Sequence, residues 1–181
     1  PAVRVSTIKS VAEKAGRTGR LVLVTVRHEV YGDDGLANVD EHDIVYREDS
    51  GPGASARPGE LAPANAQWIE TVAPVPTLLF RYSALTFNGH RIHYDRDYAT
   101  GTEGYGGLVV HGPLLATLMV GLAGRAMPKR RVARFEFRGH RPVVDTETFR
   151  VCGNPEGDDA IGVWVANGEG MLAMRGRTEF A

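Results

Sequence analysis

Two short segments carry residue types that can do acid/base chemistry. Residues 88–95 run Asn88, Gly89, His90, Arg91, Ile92, His93, Tyr94, Asp95, and an imidazole in such a loop can move a proton near neutral pH. Residues 107–113 run Gly107, Leu108, Val109, Val110, His111, Gly112, Pro113 and lead straight into an apolar stretch. A helix opening at Gly112 and Pro113 presents unpaired N–H groups and the positive end of its dipole, which suit a developing oxyanion. A proton mover near an oxyanion binder is a minimal kit for chemistry at the α and β carbons of a thioester.

Each candidate has a plainer reading beside it. Asn88 can hold a water but cannot titrate, and Asn-Gly is also a frequent turn pair. His90 either lines a pocket or orients the loop. His111 is read as structural, holding the loop before the helix. Gly112 matters for its backbone, since a side chain there would crowd a thioester carbonyl. Arg91 and Arg81 are candidates for holding a substrate carboxylate, and Lys129, Arg130 and Arg131 for meeting phosphates. His90, His93 and Asp95 do not have zinc-ligand spacing, so no metal site is expected. Gly104, Gly106 and Gly107 lack the Lys-Ser/Thr that a phosphate loop requires.

The elements that position these residues follow from periodicity. Residues 21–30 are dense in β-branched side chains. There Thr25, Arg27 and Glu29 alternate with Val24, Val26, His28 and Val30, which predicts a strand with one wet and one buried face. A turn at 32–35 and a return strand to about Tyr46 complete a hairpin. Residues 49–67 open with a Gly/Pro/Ser-rich run and read as an exposed linker. Residues 77–86 read as a strand or a short helix delivering the Asn88–Asp95 loop. From Gly112 to about Gly124, Leu114, Leu115, Leu118, Met119 and Leu122 predict a helix buried on most sides. Strand-like segments around Phe135–Phe137, Thr146–Cys152, Ile161–Ala166 and Met171–Phe180 follow. One buried helix preceding a run of antiparallel strands predicts an α+β domain whose sheet wraps a central helix.

Composition narrows the setting. A net charge of −1 over 181 residues gives no argument for nucleic acid or an anionic membrane. The single cysteine, Cys152, excludes an internal disulfide and reads as core filling. No signal peptide or membrane-spanning run is evident, so a cytoplasmic, reducing location is expected.

Residues 80–95 together with 107–115 resemble the MaoC-like, or R-specific, enoyl-thioester hydratases and dehydratases, which have the hot-dog fold. His93 falls on that family's catalytic His, Asp95 on the acid closing the signature, and Gly112 follows the His that opens the central helix. Asn88 stands where most members have the catalytic Asp, His90 where they have Asn, and Arg91 where they have Pro. Residues 81–95 as a whole are similar to one subgroup, the mesaconyl-CoA and itaconyl-CoA hydratases and the type 2 3-hydroxyacyl-thioester dehydratases, in which the Asn/His pair is normal.

The resemblance implies a partial N-terminal hot dog in residues 1–48, the linker at 49–67 and a catalytic hot dog in 68–181. It also implies hydration or dehydration of a short acyl-CoA or other acyl-thioester with no metal or redox cofactor. Hot dogs generally work in pairs, so a homodimer or a heterodimer is expected. A thioesterase and a catalytically silent hot-dog subunit are the alternatives.

Overall fold

A computed structural model describes residues 1–16, 19–47 and 59–181 of the protein. The chain divides into two compact units, Pro1–Arg57 and Pro58–Ala181.

The first unit is a three-stranded antiparallel sheet of β1 (Val3–Gly16), β2 (Gly19–Gly32) and β3 (Gly35–Arg47), with β2 in the middle. The expected hairpin is present. Asp33 and Asp34 form the turn, and Gly35 takes φ +101°, a conformation glycine adopts without a steric penalty. The expected alternation is present too. On one face Thr25 donates to Asp43 at 2.6 Å and Arg27 to Glu41 at 3.1 Å. On the other, Val24 lies between Val11 and Ile44, and Val26 between Ile8 and His42. That second face is not the buried one the sequence predicted. Most of β2 is only half-buried, and Ile8 and Val11 are 67% and 65% exposed. The reason is architectural: among the described residues of this unit there is no helix, and its apolar row is flanked by strand neighbours.

The second unit begins with a segment strapped to its sheet. Residues 60–67 fall in the stretch read as linker, yet Glu60 O accepts from Leu172 N–H and Ala62 N–H donates to Gly170 O. Asn154 ties down the far end, accepting from Gln67 N–H at 2.7 Å and donating to Asn65 O at 2.9 Å. Residues 49–58, the Gly/Pro-rich half of the predicted linker, lie outside the described residues, as does residue 48 before them.

β4 (Trp68–Val72) comes next, then α1 (Pro76–Thr86) and α2 (Gly112–Ala126), and then β5 (Val132–Gly139), β6 (Phe149–Pro155), β7 (Ala160–Ala166) and β8 (Leu172–Phe180). The five strands form one antiparallel sheet in the order β4-β6-β7-β8-β5. The open choice at 77–86 resolves to helix: Pro76 occupies a first-turn position, and Leu79 and Ser83, four residues apart, share the buried face. α2 packs on all five strands. It buries Leu114, Leu115, Ala116, Met119, Leu122 and Ala123, each large side chain contributing roughly 1.5–3 kcal/mol through burial. It runs two residues past the expected end at Gly124, to Ala126, with Pro128 beyond. A sheet curled around one apolar helix is the hot-dog fold.

Candidate active site

The loop after α1 is strapped at every turn. Phe87 ends α1 in a left-handed conformation, φ 53°, with its N–H returned to the helix. Asn88 Oδ1 accepts the His90 N–H at 3.0 Å. That bond decides the orientation of the carboxamide, because only its oxygen can accept, and it leaves Nδ2 as the group free to donate. Tyr94 donates its hydroxyl to Gly89 O at 2.8 Å, and His93 N–H donates to His90 O. Residues 91–93 thus close into a short 3₁₀ turn.

Arg91 and Asp95 complete the loop. The Arg91 guanidinium bonds Asp95 Oδ2 through Nη2 at 2.6 Å and through Nε at 3.0 Å, and it lies 4.1 Å over the Tyr98 ring. Asp95 Oδ1 accepts the Tyr98 N–H. These bonds to the Tyr98 N–H and Arg91 hold the Asp95 carboxyl below the usual carboxylate range. Both residues therefore brace the loop, which leaves Arg91 only part of its fork for any substrate.

Residues 107–111 run alongside and fix the histidine. Val109 N–H donates to Ile92 O at 2.9 Å, and Val110 N–H to Val143 O. Asp145, whose side chain is 2% exposed, accepts the Leu108 N–H and pairs with Arg96. Held in this way, Val109 O receives His93 Nδ1 at 2.7 Å. A carbonyl can only accept, so Nδ1 carries the proton and Nε2 presents a bare lone pair. Burial pushes the His93 imidazole below the ordinary histidine value, against the Val109 bond, which raises it; proximity to His90 lowers it further. His93 is buried and neutral, as a base must be.

His93 sits between two other imidazoles. His90, exposed, meets it edge-on with centroids 5.6 Å apart. His111, fully buried, stacks on it at 3.7 Å with 16° between the planes. His111 Nε2 bonds Ser83 Oγ at 2.8 Å, and Tyr82 packs edge-on against the same ring. Burial, and secondarily His93, push the His111 pKa down to about 4. No cluster of three or more His, Cys, Asp or Glu side chains suited to a metal ion occurs among the described residues.

α2 starts at Gly112 directly after His111, with no side-chain cap. Pro113 has no N–H, and the Leu115 N–H is tied to His111 O. A Cβ built on Gly112 would meet nothing within 4 Å, so the glycine faces open space. The first turn of the helix thus offers backbone donors and its dipole to whatever fills that space.

Of the sequence candidates, His90 and His93 are brought together and Asn88 is tied to His90 in the same loop, while Gly112 directly follows the histidine stacked on His93. Arg81 is exposed on α1, and Cys152 is buried in β6. Sequence reasoning missed Ser83 and Asp145. Ser83 had a signal, a lone hydroxyl four residues after Leu79 on the buried face; Asp145 had none.

The hydroxyacyl-thioester dehydratase type 2 family matches residues 1–145. The chain belongs to that family. It is 48% identical over 158 residues to mesaconyl-C(4)-CoA hydratase of Chloroflexus aurantiacus, covering 87% of this chain and 56% of that protein. It is 42% identical over 87 residues to the mitochondrial hydroxyacyl-thioester dehydratase type 2 of Schizosaccharomyces pombe, covering 47% of this chain and 28% of that protein. The chain therefore spans about half the length, or less, of these curated relatives.

Among solved structures, the peroxisomal multifunctional enzyme type 2 of Drosophila melanogaster matches 99% of this chain and 34% of its own, with a TM-score of 0.72 and 16% identity. The ChsH1–ChsH2 complex of Mycobacterium tuberculosis matches 68% of this chain and 95% of its own, with a TM-score of 0.53 and 18% identity. These likenesses bear on the fold. Among the described residues no helix is long and apolar enough to cross a membrane.

Proposed function

We propose that the protein is a hydro-lyase acting on a short acyl-CoA thioester, adding water to a 2-enoyl group or removing it from a 3-hydroxyacyl group. A mesaconyl-CoA-like substrate is the first to test, since the Chloroflexus relative bears that name. The observation that carries the reading is the His93 Nδ1–Val109 O bond, which leaves Nε2 unprotonated on a buried, neutral ring.

In the hydration direction His93 Nε2 takes a proton from water as the water oxygen bonds to the β carbon. Asn88 Nδ2 donates to that oxygen and holds it. The displaced π electrons reach the thioester oxygen, where the Gly112 N–H and the α2 dipole meet the charge. The proton on Nε2 then passes to the α carbon. Asn88 cannot titrate, so one imidazole serves both steps, and dehydration reverses the sequence.

We place the protein in the cytoplasm as paired hot dogs, either two copies or a copy with a second subunit. Two features support the pairing: β5 is a terminal strand of its sheet with Phe137 exposed, and the ChsH1–ChsH2 neighbour is itself a two-protein complex.

The test is hydration of mesaconyl-, itaconyl- and crotonyl-CoA by the parent chain and His93→Ala. The variant is expected to lose at least about two orders of magnitude in kcat, the scale of a lost general base. Equal rates in the two would refute the role of His93, and release of free thiol from a saturated acyl-CoA would favour a thioesterase.

A further inference from the structure

His111 has no part in the steps above, yet it is the most deliberately placed side chain in the unit. Its ring lies flat against His93, with centroids 3.7 Å apart and planes at 16°. It is 0% exposed, its Nε2 is anchored on Ser83 Oγ, and its Nδ1 has no hydrogen-bond partner among the described residues. A buried polar atom left unpaired is costly. The cost is smallest if Nδ1 is a bare acceptor, which makes Nε2–H the donor to Ser83 and the ring neutral. A leucine or phenylalanine would fill the same volume with no orphaned nitrogen, so packing alone does not account for the residue.

We propose that His111, anchored by Ser83, is a positioning residue for His93: its flat ring sets the plane of the His93 imidazole and keeps water off that face, so that Nε2 is aimed and dry. The inference rests on the reading of His93 as the acid/base.

The geometry works from both sides. The Nδ1–Val109 O bond fixes one point of the His93 ring but leaves it free to rock about that bond. The His111 face removes the rocking motion. Ser83 stands on the buried face of α1, so the helix that delivers the loop also sets the stack. His90 from the same loop and Tyr82 from α1 are the titratable groups facing the stack. The flanking charges are neutralised in pairs, Arg91 with Asp95 and Arg96 with Asp145, and the first turn of α2 carries no acidic residue. Burial is the largest cause of the depressed His93 pKa, and His111 covers one face of that ring.

The test uses the full chain with His111→Asn, His111→Phe, Ser83→Ala and His93→Ala. The His93 ring is followed by imidazole NMR across pH, and kcat and KM are measured with mesaconyl-CoA or crotonyl-CoA. His111→Asn keeps a polar side chain, shorter than the ring and unable to reach Ser83 as Nε2 does, and loses the stacked face. It is expected to lower kcat by about 10- to 100-fold through misaiming, with KM little changed. The His93 titration and the acid limb of kcat/KM should both move up toward 6.5, the ordinary value. His111→Phe keeps a flat, dry ring and should restore kcat to within about five-fold of the parent.

If His111→Asn does not fold, Ser83→Ala carries the test through the same upward move of the His93 titration. A His93 titration unmoved in the Asn or Ala variants, or His111→Phe as impaired as His111→Asn, would overturn the proposal. Full activity in His93→Ala would overturn the acid/base reading instead, while a moved His93 titration would still report the stack.

Discussion

Buried neutral histidines make folding pH-dependent, and His111 sets the size of the effect. In the unfolded chain it protonates near 6.5; in the folded unit burial holds it to about 4. Between those values the unfolded state binds a proton that the folded state refuses, so stability falls as pH falls through this window and levels off below it. At about 1.36 kcal/mol per pH unit, the window amounts to about 3 kcal/mol. His93 is shifted in the same direction and adds to the fall. His111→Phe removes the group and keeps the ring. Urea denaturation followed by tryptophan fluorescence reads the second unit alone, because Trp68 and Trp164 both lie in it. Between pH 7 and pH 4 the parent is expected to lose about 3 kcal/mol more than His111→Phe, whatever the offset between them at pH 7. Carboxylates titrating in the same range cancel in the difference. Superimposable pH curves for the two chains would refute the buried, neutral assignment of His111.

Three further outcomes follow from local geometry. A Cβ at Gly176 would stand 2.7 Å from Glu136 O and 3.2 Å from Met119 Cε, so Gly176→Ala must spread β5 from β8 and is expected to destabilise the second unit by about 1–3 kcal/mol in urea titrations. Gly112→Ala meets open space, so unfolding should shift by less than about 0.5 kcal/mol, while kcat/KM on an enoyl-CoA should fall by at least about ten-fold as the methyl enters the oxyanion position; parent-like kinetics would remove Gly112 from the site. Asn88→Asp keeps the oxygen that accepts the His90 N–H but loses the Nδ2 donor. It should retain measurable activity and add a second titrating group to the pH–rate profile, whereas Asn88→Ala should lose about one to two orders of magnitude in kcat.

What was legible in the sequence is what short-range pattern controls. The α2 helix announced itself through apolar spacing and the Gly112-Pro113 start, and β6, β7 and β8 as strand-like segments set off by Gly/Asn/Asp turns. The first hairpin was legible in its alternation, but the burial of its valine face was not, because alternation says which residues share a face and nothing about what covers it. Ile8 and Val11 stay exposed for that reason. The strand or helix choice at 77–86 was open because its apolar residues sit at adjacent positions and fit either period; Pro76 at the first turn and the buried Leu79–Ser83 pair favour the helix.

The site divides along the same line. Asn88, His90 and His93 share one loop, and their proximity follows from sequence spacing. His111 lies 18 residues after His93. The two rings meet where Val109 N–H bonds Ile92 O and the second segment lies alongside the first. The role given to His111 from sequence, holding the loop before the helix, describes its backbone, whose carbonyl takes the Leu115 N–H. It did not foresee the ring. On the proposed mechanism this matters for the chemistry itself. With Asn88 in place of a catalytic carboxylate, a single imidazole must accept a proton from water and return it to carbon. Such a base performs both transfers only if Nε2 keeps its aim between them and stays neutral at rest. Val109 O secures the tautomer, burial secures the neutral form, and the His111 face, seated on Ser83, supplies the aim that a second acid would otherwise make less demanding.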